Sequence, residues 1–441
     1  MKRWIFIIFV FVSFSIFSYG QEKMKVTLED CLKIGLDNNK TIKISNSKMN
    51  QSRAKLSESE AAQYPSLKVT GAYTRLSEVE PFTVNFQGRE MTISPIILDQ
   101  YQLRFSLFQP VFSGFRLANT SELSRYNLLA AEEDLMKDNR QLILDIKNSF
   151  WTLHNALESI KIIDENLELL KSHFRNIENM HKSGMATLNE VLKVKVQISN
   201  MEVNKIDVEN ASKTAMMVLN NILGMNTANE LEIIVNLSFG ERLIPGQNEL
   251  LEKAKNNRSD LKSMEYRVKS AESALGISKS GYYPQINFAA NYNYMRPNSR
   301  IMPSKDEFIG TWDLGITMSY DIWNWGIYSD QAEQAECQLE QSRFALEQLK
   351  DAIALEVYQS YKLLNKYIEK ITVCQEAINQ AEENYRVTNE KFKTGLAISS
   401  ELLDAENLLL ISKINKATSV AEYEIALAKL EKAIGNELSK E

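Results

Sequence analysis

The feature that most constrains the fold is one uninterrupted helical pattern in the second half of the chain, over residues 327–393. The stretch contains neither proline nor glycine, and its apolar residues recur about every 3.5 positions, the spacing typical of a coiled coil. At about 1.5 Å per residue, it predicts a helix about 100 Å long. The apolar stripe consists of Leu346, Leu349, Ile353, Val357, Tyr361, Leu364, Ile368, Ile371, Cys374, Ile378, Ala381, Tyr385, Thr388 and Phe392.

The pattern around this helix occurs twice. Landmarks of different kinds keep one spacing of 211 residues, among them Gly184 with Gly395 and Leu192 with Leu403. Landmarks that share one register indicate an internal structural repeat. Proline is absent between residues 111 and 244 and again after residue 303, so it interrupts neither long helix.

Each repeat is predicted to contain a helix, two strands, a long helix and a shorter returning helix. Tyr64-Pro65 and Tyr283-Pro284 end the first helix of each repeat, and a loop is predicted between the strands of each pair. The predicted elements are, in the first repeat (21–230), helix 26–62, strands 66–76 and 100–111, long helix 115–182 and helix 187–224; in the second repeat (231–441), helix 248–280, strands 285–295 and 311–322, long helix 327–393 and helix 397–434.

The first 20 residues have the pattern of an export signal. Lys2 and Arg3 precede an uncharged apolar run, and Ser18-Tyr19-Gly20 forms a small-residue end. We predict a secretory signal peptide over residues 1–20, with a retained anchor as the alternative. No later stretch approaches 18 uncharged apolar residues, so strands are the predicted means of entering a membrane.

The four predicted strands each have one apolar and one polar face. In the first strand, Leu67, Val69 and Tyr73 alternate with Lys68 and Thr70. Such alternation over about ten residues is typical of outer-membrane strands, and a half-buried sheet in a soluble domain is the alternative. Four strands cannot close a membrane barrel, since the smallest have about eight. We therefore expect a barrel shared between chains: three chains supply twelve strands, and two supply eight.

Two strand exits and two tip turns carry a resemblance to a known family. The exits are Gln109-Pro-Val-Phe-Ser-Gly114 and Asp321-Ile-Trp-Asn-Trp-Gly326, and the turns lie within residues 182–192 and 393–405. In these motifs the chain resembles the TolC-type outer-membrane efflux channels, over essentially its whole mature length. The resemblance implies a mainly α fold with a membrane β part, in which a homotrimer forms a 12-stranded β-barrel continuous with a long α-helical coiled-coil tunnel in the periplasm.

The resemblance also implies a function. Channels of this family are the exit ducts of tripartite efflux or type I secretion systems in the Gram-negative outer membrane. They are passive, and are opened by a periplasmic adaptor protein and an inner-membrane transporter of RND, ABC or MFS type. Drugs, proteins and metal ions all pass through such ducts, so the resemblance leaves the exported substrate open.

Two acidic residues match the family's pore constriction. Glu401 and Asp404 occupy the positions that narrow the periplasmic aperture, and three copies place six carboxylates around one opening. A like-charged ring attracts cations and resists anions. The alternative is that both residues are solvated acids on a helix surface.

The tip turns match the family's adaptor-docking positions. Gly184 with Met185 and Gly395 with Leu396 occupy those turns, and a plain helix C-cap is the alternative role of the glycines. Glu190 matches an acid that makes tip contacts in the family. The chain departs from the family at the basic latch position, which is Ala397, and at its aromatic partner, which is Phe392. The closed aperture is therefore expected to depend on packing.

The sequence favours no enzyme, metal or cofactor. The three histidines, His154, His173 and His181, show no spacing for metal ligands, and no phosphate loop or nucleophile motif is present. A net charge of −6 argues against nucleic acid as a partner. The three cysteines are expected to be packing residues. Two other interpretations remain, a stand-alone porin and a secreted fibrous coiled-coil protein.

Overall fold

The computed structural model describes residues 24–94, 96–235 and 244–436, so the predicted signal peptide lies outside the described residues. The elements of the first half are β1 (Met24–Val26), α1 (Leu28–Asn38), α2 (Lys40–Ala61), β2 (Ser66–Arg75), β3 (Phe82–Phe86), β4 (Arg89–Ser94), β5 (Asp99–Ser113), α3 (Arg116–Lys182) and α4 (Leu188–Ile222). Those of the second half are β6 (Leu231–Ile233), α5 (Gln247–Asn257), α6 (Ser259–Ser278), β7 (Gln285–Arg296), β8 (Ile309–Ser319), α7 (Ile327–Lys393) and α8 (Ser399–Ile434).

The two longest elements, α3 and α7, contain 67 residues each. Each is therefore about 100 Å long. α3 packs against α2 and α4, and α7 packs against α6 and α8. Most of the predicted stripe of α7 faces these neighbours, although Ile368 is exposed. Further contacts of α3 with α6 and α8 join the two halves of the chain.

The sequence prediction was wrong about two helices. The predicted helix 26–62 is broken into α1 and α2 at Asn39, and the predicted helix 248–280 is broken into α5 and α6 at Arg258. Both residues have extended backbone, with ψ of 130° and 122°. Asn39 accepts a hydrogen bond from the Thr41 amide (2.7 Å) and donates one to the carbonyl of Ile222 (2.8 Å). One extended residue leaves the apolar spacing almost unchanged, so the pattern did not reveal the breaks.

Two smaller elements were also missed. The predicted loop 77–98 contains the hairpin β3–β4, whose turn residues Gln87 and Gly88 both have positive φ, as a tight hairpin turn requires. β1 pairs in parallel with β6, which ties the start of the described chain to its middle. Strands of three to six residues carry too little alternation to stand out from loop sequence.

The remaining strands form one antiparallel sheet in the order β2-β5-β7-β8. One face is apolar and exposed, with Leu67, Trp312 and Ile316 among its residues. The other face is polar, and its cross-strand rows include Thr70, Arg104, Asn293 and Thr311. Among the described helices, none is both long and apolar enough to cross a membrane.

The three cysteines are all free. Cys31 is buried in a core cluster with Ile146 and Phe150, and burial raises the pKa of its thiol to about 11. Cys374 is buried beside Ser419. Cys337 is exposed, so the expectation of a packing role is wrong for this residue.

A buried ion-pair network holds the break between α5 and α6. Arg258 is 6% exposed and bonds both oxygens of Asp260, at 2.9 and 2.6 Å. It also donates to Glu356 of α7 (2.6 Å) and to the carbonyl of Ala433 in α8 (3.1 Å). Lys432 donates to the second oxygen of Glu356 at 2.9 Å. The residue that ends α5 therefore also connects it to α7 and α8.

These partners set the charge state of the network. Burial by itself raises the pKa of the Asp260 carboxyl, but hydrogen bonds and charge from Arg258 outweigh burial and lower it. Burial likewise opposes the lowered pKa of Glu356, where Lys432 and Arg258 prevail. Both groups therefore stabilise the fold above their ordinary pKa values of 3.8 and 4.5. That contribution is lost as the pH falls through the lowered values.

We expect Arg258→Ala to lower the free energy of unfolding by about 3 kcal/mol at neutral pH, because it leaves the partly buried Asp260 without its cationic partner and Glu356 with Lys432 alone. The measurement is denaturant unfolding of the detergent-solubilised protein. The matched control is Lys255→Ala, which removes an exposed ion pair with Glu252 and should cost less than about 1 kcal/mol. The gap between Arg258→Ala and wild type should shrink below about pH 4, as the carboxylates take up protons. Equal costs for the two variants contradict the structural role of Arg258.

Candidate functional site

The tip turns that end the long helices have the same geometry. Gly184 and Gly395 have φ of 76° and 77°. In each turn two backbone bonds close the helix end: Met185 to Met180 (2.8 Å) and Gly184 to His181 in the first, Leu396 to Lys391 (2.8 Å) and Gly395 to Phe392 in the second. These bonds form a Schellman C-cap, which favours glycine because φ is positive. A Cβ built at either glycine meets nothing within 4 Å, so the requirement is the backbone angle and not space.

The residues after these glycines are strongly exposed. Met185 is 70% exposed and Leu396 is 80% exposed. Leu188 and Ile398, which follow the two turns, are also more than half exposed. The tip therefore presents apolar side chains to its surroundings on both turns.

Glu190 lies at the start of α4, where it caps the helix. Its carboxylate accepts hydrogen bonds from the backbone amide (2.8 Å) and hydroxyl (3.0 Å) of Thr187, and the Thr187 hydroxyl accepts one from the Glu190 amide. This reciprocal arrangement is a capping box, and Thr187-Leu-Asn-Glu190 is its sequence signature. The described contacts of Glu190 lie within its own turn.

Glu401 and Asp404 are both exposed in the first two turns of α8. Three residues apart, they share one face of the helix. Leu408 and Ile411 continue that exposed face, whereas Leu402 on the opposite side is buried. In the single chain the two acids therefore face away from its own core.

A buried polar cluster lies beside these acids. His173 of α3 is 3% exposed and Glu406 of α8 is 2% exposed. The Nδ1 atom of His173 lies 3.4 Å from a carboxylate oxygen of Glu406, and its Nε2 atom lies 3.1 Å from the hydroxyl of Ser399. Phe392 of α7 packs its ring edge-on against the imidazole. The cluster therefore joins three helices across a sequence separation of more than 200 residues.

The hydrogen bonds fit either charge state of the ring. A neutral imidazole donates from Nδ1 to Glu406 and accepts at Nε2 from the Ser399 hydroxyl, whereas an imidazolium donates at both atoms. The order serine, histidine, glutamate is also that of a hydrolytic triad. All three residues are buried, however, and no substrate can reach the serine hydroxyl. The arrangement binds helix to helix, and nothing in the sequence pattern brings these three residues together.

The family resemblance places Phe392 and Ala397 at the latch positions. Phe392 is buried among Ile177, Val191 and Leu402, and Ala397 packs against the same cluster. Tyr385 of α7 also packs against this cluster, and burial, followed by the negative charge of Glu406, raises the pKa of its hydroxyl. Packing and the His173 hydrogen bonds together hold this end of the helices.

No metal centre is found among the described residues: no group of three or more histidine, cysteine, aspartate or glutamate side chains is placed to share an ion. The cavity nearest to a histidine has a volume of about 520 Å³ and is lined by His154, Glu158 and Lys413 among others. Burial lowers the pKa of His154.

Comparison with known proteins gives consistent matches. The family model described as outer membrane efflux protein matches residues 32–225 and 250–436. The chain is 20% identical over 382 residues to the "Probable outer membrane lipoprotein SilC" of Salmonella typhimurium, covering 86% of this chain and 79% of that protein. It is 20% identical over 303 residues to the "Outer membrane protein TolC" of Salmonella enteritidis, covering 68% and 62%. The structure of the outer-membrane channel OprN superimposes with a TM-score of 0.80 at 16% identity, covering 93% of this chain and 90% of that one.

We expect His173→Leu to destabilise the tip by about 3 kcal/mol, because it removes the imidazole from a buried carboxylate. The double variant His173→Leu/Glu406→Leu should recover most of that loss. The control is His181→Leu, whose ring is exposed and bonds only the nearby carbonyl of Ala186 in the described contacts. Hydrogen–deuterium exchange over residues 385–410 should speed up in the first variant and stay near wild type in the other two. Unchanged exchange in His173→Leu rules out a clamping role.

Proposed function

This chain belongs to the outer membrane efflux protein family, and on that premise we propose that three copies form one exit duct through the outer membrane. The resemblance drawn from the tip turns and strand exits is confirmed. The protein is a TolC-like outer-membrane efflux channel, and its helices extend into the periplasm. The proteins it matches are channels, and we assign it no reaction of its own.

The open edges of the sheet carry this proposal. β2 and β8 are the edge strands, with 10 and 11 residues. Every backbone group left unpaired in hydrocarbon costs several kcal/mol, so membrane sheets must close. Pairing β8 of one copy with β2 of the next closes a ring, and three copies supply twelve strands. The exposed apolar face then contacts lipid and the polar face lines the lumen.

An exposed stripe on α4 supports the same assembly. Leu192, Val196, Val203 and Ile206 recur at helical spacing and are each at least 50% exposed. Large apolar side chains in a row on one helix mark a surface that is covered in the functional state. We propose that a neighbouring copy covers this stripe in the helical tunnel.

The two acids of α8 are proposed to form the pore constriction. In a trimer, Glu401 and Asp404 provide two stacked rings of three carboxylates each. The exposed position of both side chains, away from the core of their own chain, supports this placement. Rings of this charge favour cations and bind divalent ions. The buried cluster of His173, Ser399 and Glu406 is proposed to hold α8 in the closed arrangement, in place of the family's basic latch.

The exposed tip turns are proposed to be the adaptor-docking surface. Met185 and Leu396 supply apolar contacts, and the Schellman turns give the two surfaces the same backbone shape. The partner is a periplasmic adaptor protein that connects the duct to an inner-membrane transporter of RND, ABC or MFS type. Export by the duct is therefore passive, and the transporter supplies the energy.

Native mass measurement in detergent should give three chains. Val203→Glu with Ile206→Glu should weaken the assembly, because it places six carboxylates per trimer in the proposed apolar contact. The control Asn204→Glu adds charge to an exposed polar position of the same helix. A stable monomer or dimer in the wild type overturns the trimer.

Replacing Gly395 by valine should abolish export while leaving the trimer assembled, because a β-branched residue at φ of 77° distorts the docking turn. Gly246→Val is the matched control, since Gly246 has negative φ and an ideal Cβ there meets nothing within 4 Å. Export is measured in cells that carry only the variant, as resistance to a toxic compound against which the wild-type channel is first shown to protect the same cells. Wild-type resistance with Gly395→Val excludes this turn as a docking site.

Glu401→Gln with Asp404→Asn should reduce the preference for cations and weaken block by divalent cations, because the constriction loses its charge. The double variant should also favour the closed state, since like charges repel most when the opening is narrow. Reversal potentials in a salt gradient across a planar bilayer measure the first effect. If selectivity and block both equal those of wild type, these acids line no constriction.

A further inference from the structure

The polar face of the sheet carries few charges, and more of them are positive than negative. Along the four strands its charged residues are Lys68 on β2, Arg104 on β5 and Asp313 on β8. They lie in two adjacent cross-strand rows: Lys68, Ser106, Asn291 and Asp313 in one, and Thr70, Arg104, Asn293 and Thr311 in the other. The charges therefore form one band across the sheet.

The carboxylate of this band is already engaged. One oxygen of Asp313 accepts a hydrogen bond from the Asn291 amide at 2.7 Å. The other accepts from Asn293 at 3.2 Å and from the Arg300 guanidinium at 3.3 Å. Arg300 follows β7 and also donates to the carbonyl of Trp312 at 2.9 Å. The carboxylate of Asp313 is thus hydrogen-bonded and ion-paired to residues of β7 and of the loop that follows it.

The guanidinium groups remain accessible. The Nε atom of Arg104 donates to Asn293 at 2.7 Å, and Asn293 is buried between Arg104 and Asp313. Arg104 itself is exposed, and the side chain of Arg300 is 53% exposed. The asparagine fixes the position of one guanidinium group without neutralising it. Lys68 adds a third cation in the neighbouring row and is also exposed.

We infer that this band is a cationic girdle in the barrel lumen that attracts solutes bearing carboxylate or phosphate groups. Lys68, Arg104 and Arg300 against Asp313 leave two positive charges per chain and six in a trimer. The inference rests on the proposed trimeric barrel, because only there does the polar face surround a lumen. The girdle is opposite in sign to the proposed acidic constriction at the far end of the helices. The duct then offers separate attraction to the cationic and anionic groups of one passing solute.

Salt sets the reach of the girdle. A charge acts over about 30 Å at 0.01 M salt but over only about 3 Å at 1 M. In a wide barrel the girdle therefore affects ion permeation at low salt and has little effect at high salt. A permeability ratio that depends on ionic strength distinguishes it from a narrow constriction, whose charges lie close to every passing ion.

The test uses the full-length trimer in planar bilayers, with potassium chloride gradients centred near 10 mM and near 1 M. In the Glu401→Gln/Asp404→Asn channel, the reversal potential at low salt should change sign, because the channel should then prefer anions to cations. Adding Arg104→Gln and Arg300→Gln should change the potassium-to-chloride permeability ratio at least about twofold toward unity, and this effect should vanish near 1 M. The control is Arg296→Gln, which removes one cation of the opposite face, where it pairs with Asp306.

Conservative variants separate charge from packing. In the same Glu401→Gln/Asp404→Asn channel, Arg104→Lys with Arg300→Lys keeps the charge and should keep the permeability ratio of that channel, although it changes the hydrogen bonds. The proposed girdle is ruled out if the two glutamine substitutions change the permeability ratio no more than Arg296→Gln does. It is also ruled out if the lysine variant loses selectivity to the same extent as the glutamine variant. If Glu401→Gln/Asp404→Asn leaves the permeability ratio unchanged but substitution of the arginines changes it, the proposed constriction is rejected and the proposed girdle stands. Native mass below three chains in the wild type removes the trimer and the girdle together.

Discussion

The structure depends on the burial of one apolar stripe along each 67-residue helix. No other helix described in this chain is long enough to cover such a stripe, so two shorter helices meet end to end beside each long one. These pairs are α2 with α4 beside α3, and α6 with α8 beside α7. The extended residues Asn39 and Arg258, at the starts of α2 and α6, lie where the helices of each pair meet, since they donate to the carbonyls of Ile222 in α4 and Ala433 in α8. Asn39 satisfies the free backbone groups there with its amide, whereas Arg258 does so with a buried set of charges.

Patterns that persist over many residues could be predicted from the sequence, and single contacts could not. The ends of α7 coincide with its predicted range because glycine and proline are absent until its terminal turn. The tip glycines and the alternating strands follow from equally local rules. The break at Arg258 left no mark, because one extended residue barely disturbs the apolar period. His173 gave no local signal either, since its partner Glu406 is 233 residues away.

At the tip, exposed acidic residues and a buried polar cluster lie on opposite sides of α8. Glu401 and Asp404 face outward on α8, and Ser399 and Glu406 on the same two turns face the imidazole of His173. Movement of α8 therefore alters both sets of contacts at once. Under the proposed assignment of Glu401 and Asp404 to the constriction, α8 would couple the width of the opening to the buried hydrogen bonds of His173, without any separate moving part.

The β3–β4 hairpin shows where this architecture accepts extra sequence. Pro65 and Pro284 lie 219 positions apart, whereas Gly184 and Gly395 lie 211 apart, so the stretch from the proline to the tip glycine is eight residues longer in the first half of the chain. The loop between β2 and β5, which contains the hairpin, has 23 residues, whereas the loop between β7 and β8 has 12. One residue inserted into a long helix rotates everything beyond it by about 100° and turns its apolar stripe away from its partners. An insertion in the loop between β2 and β5 rotates no helix, because this loop lies at the end of the sheet away from the helices. Extra residues in this loop therefore leave the register of the long helices unchanged.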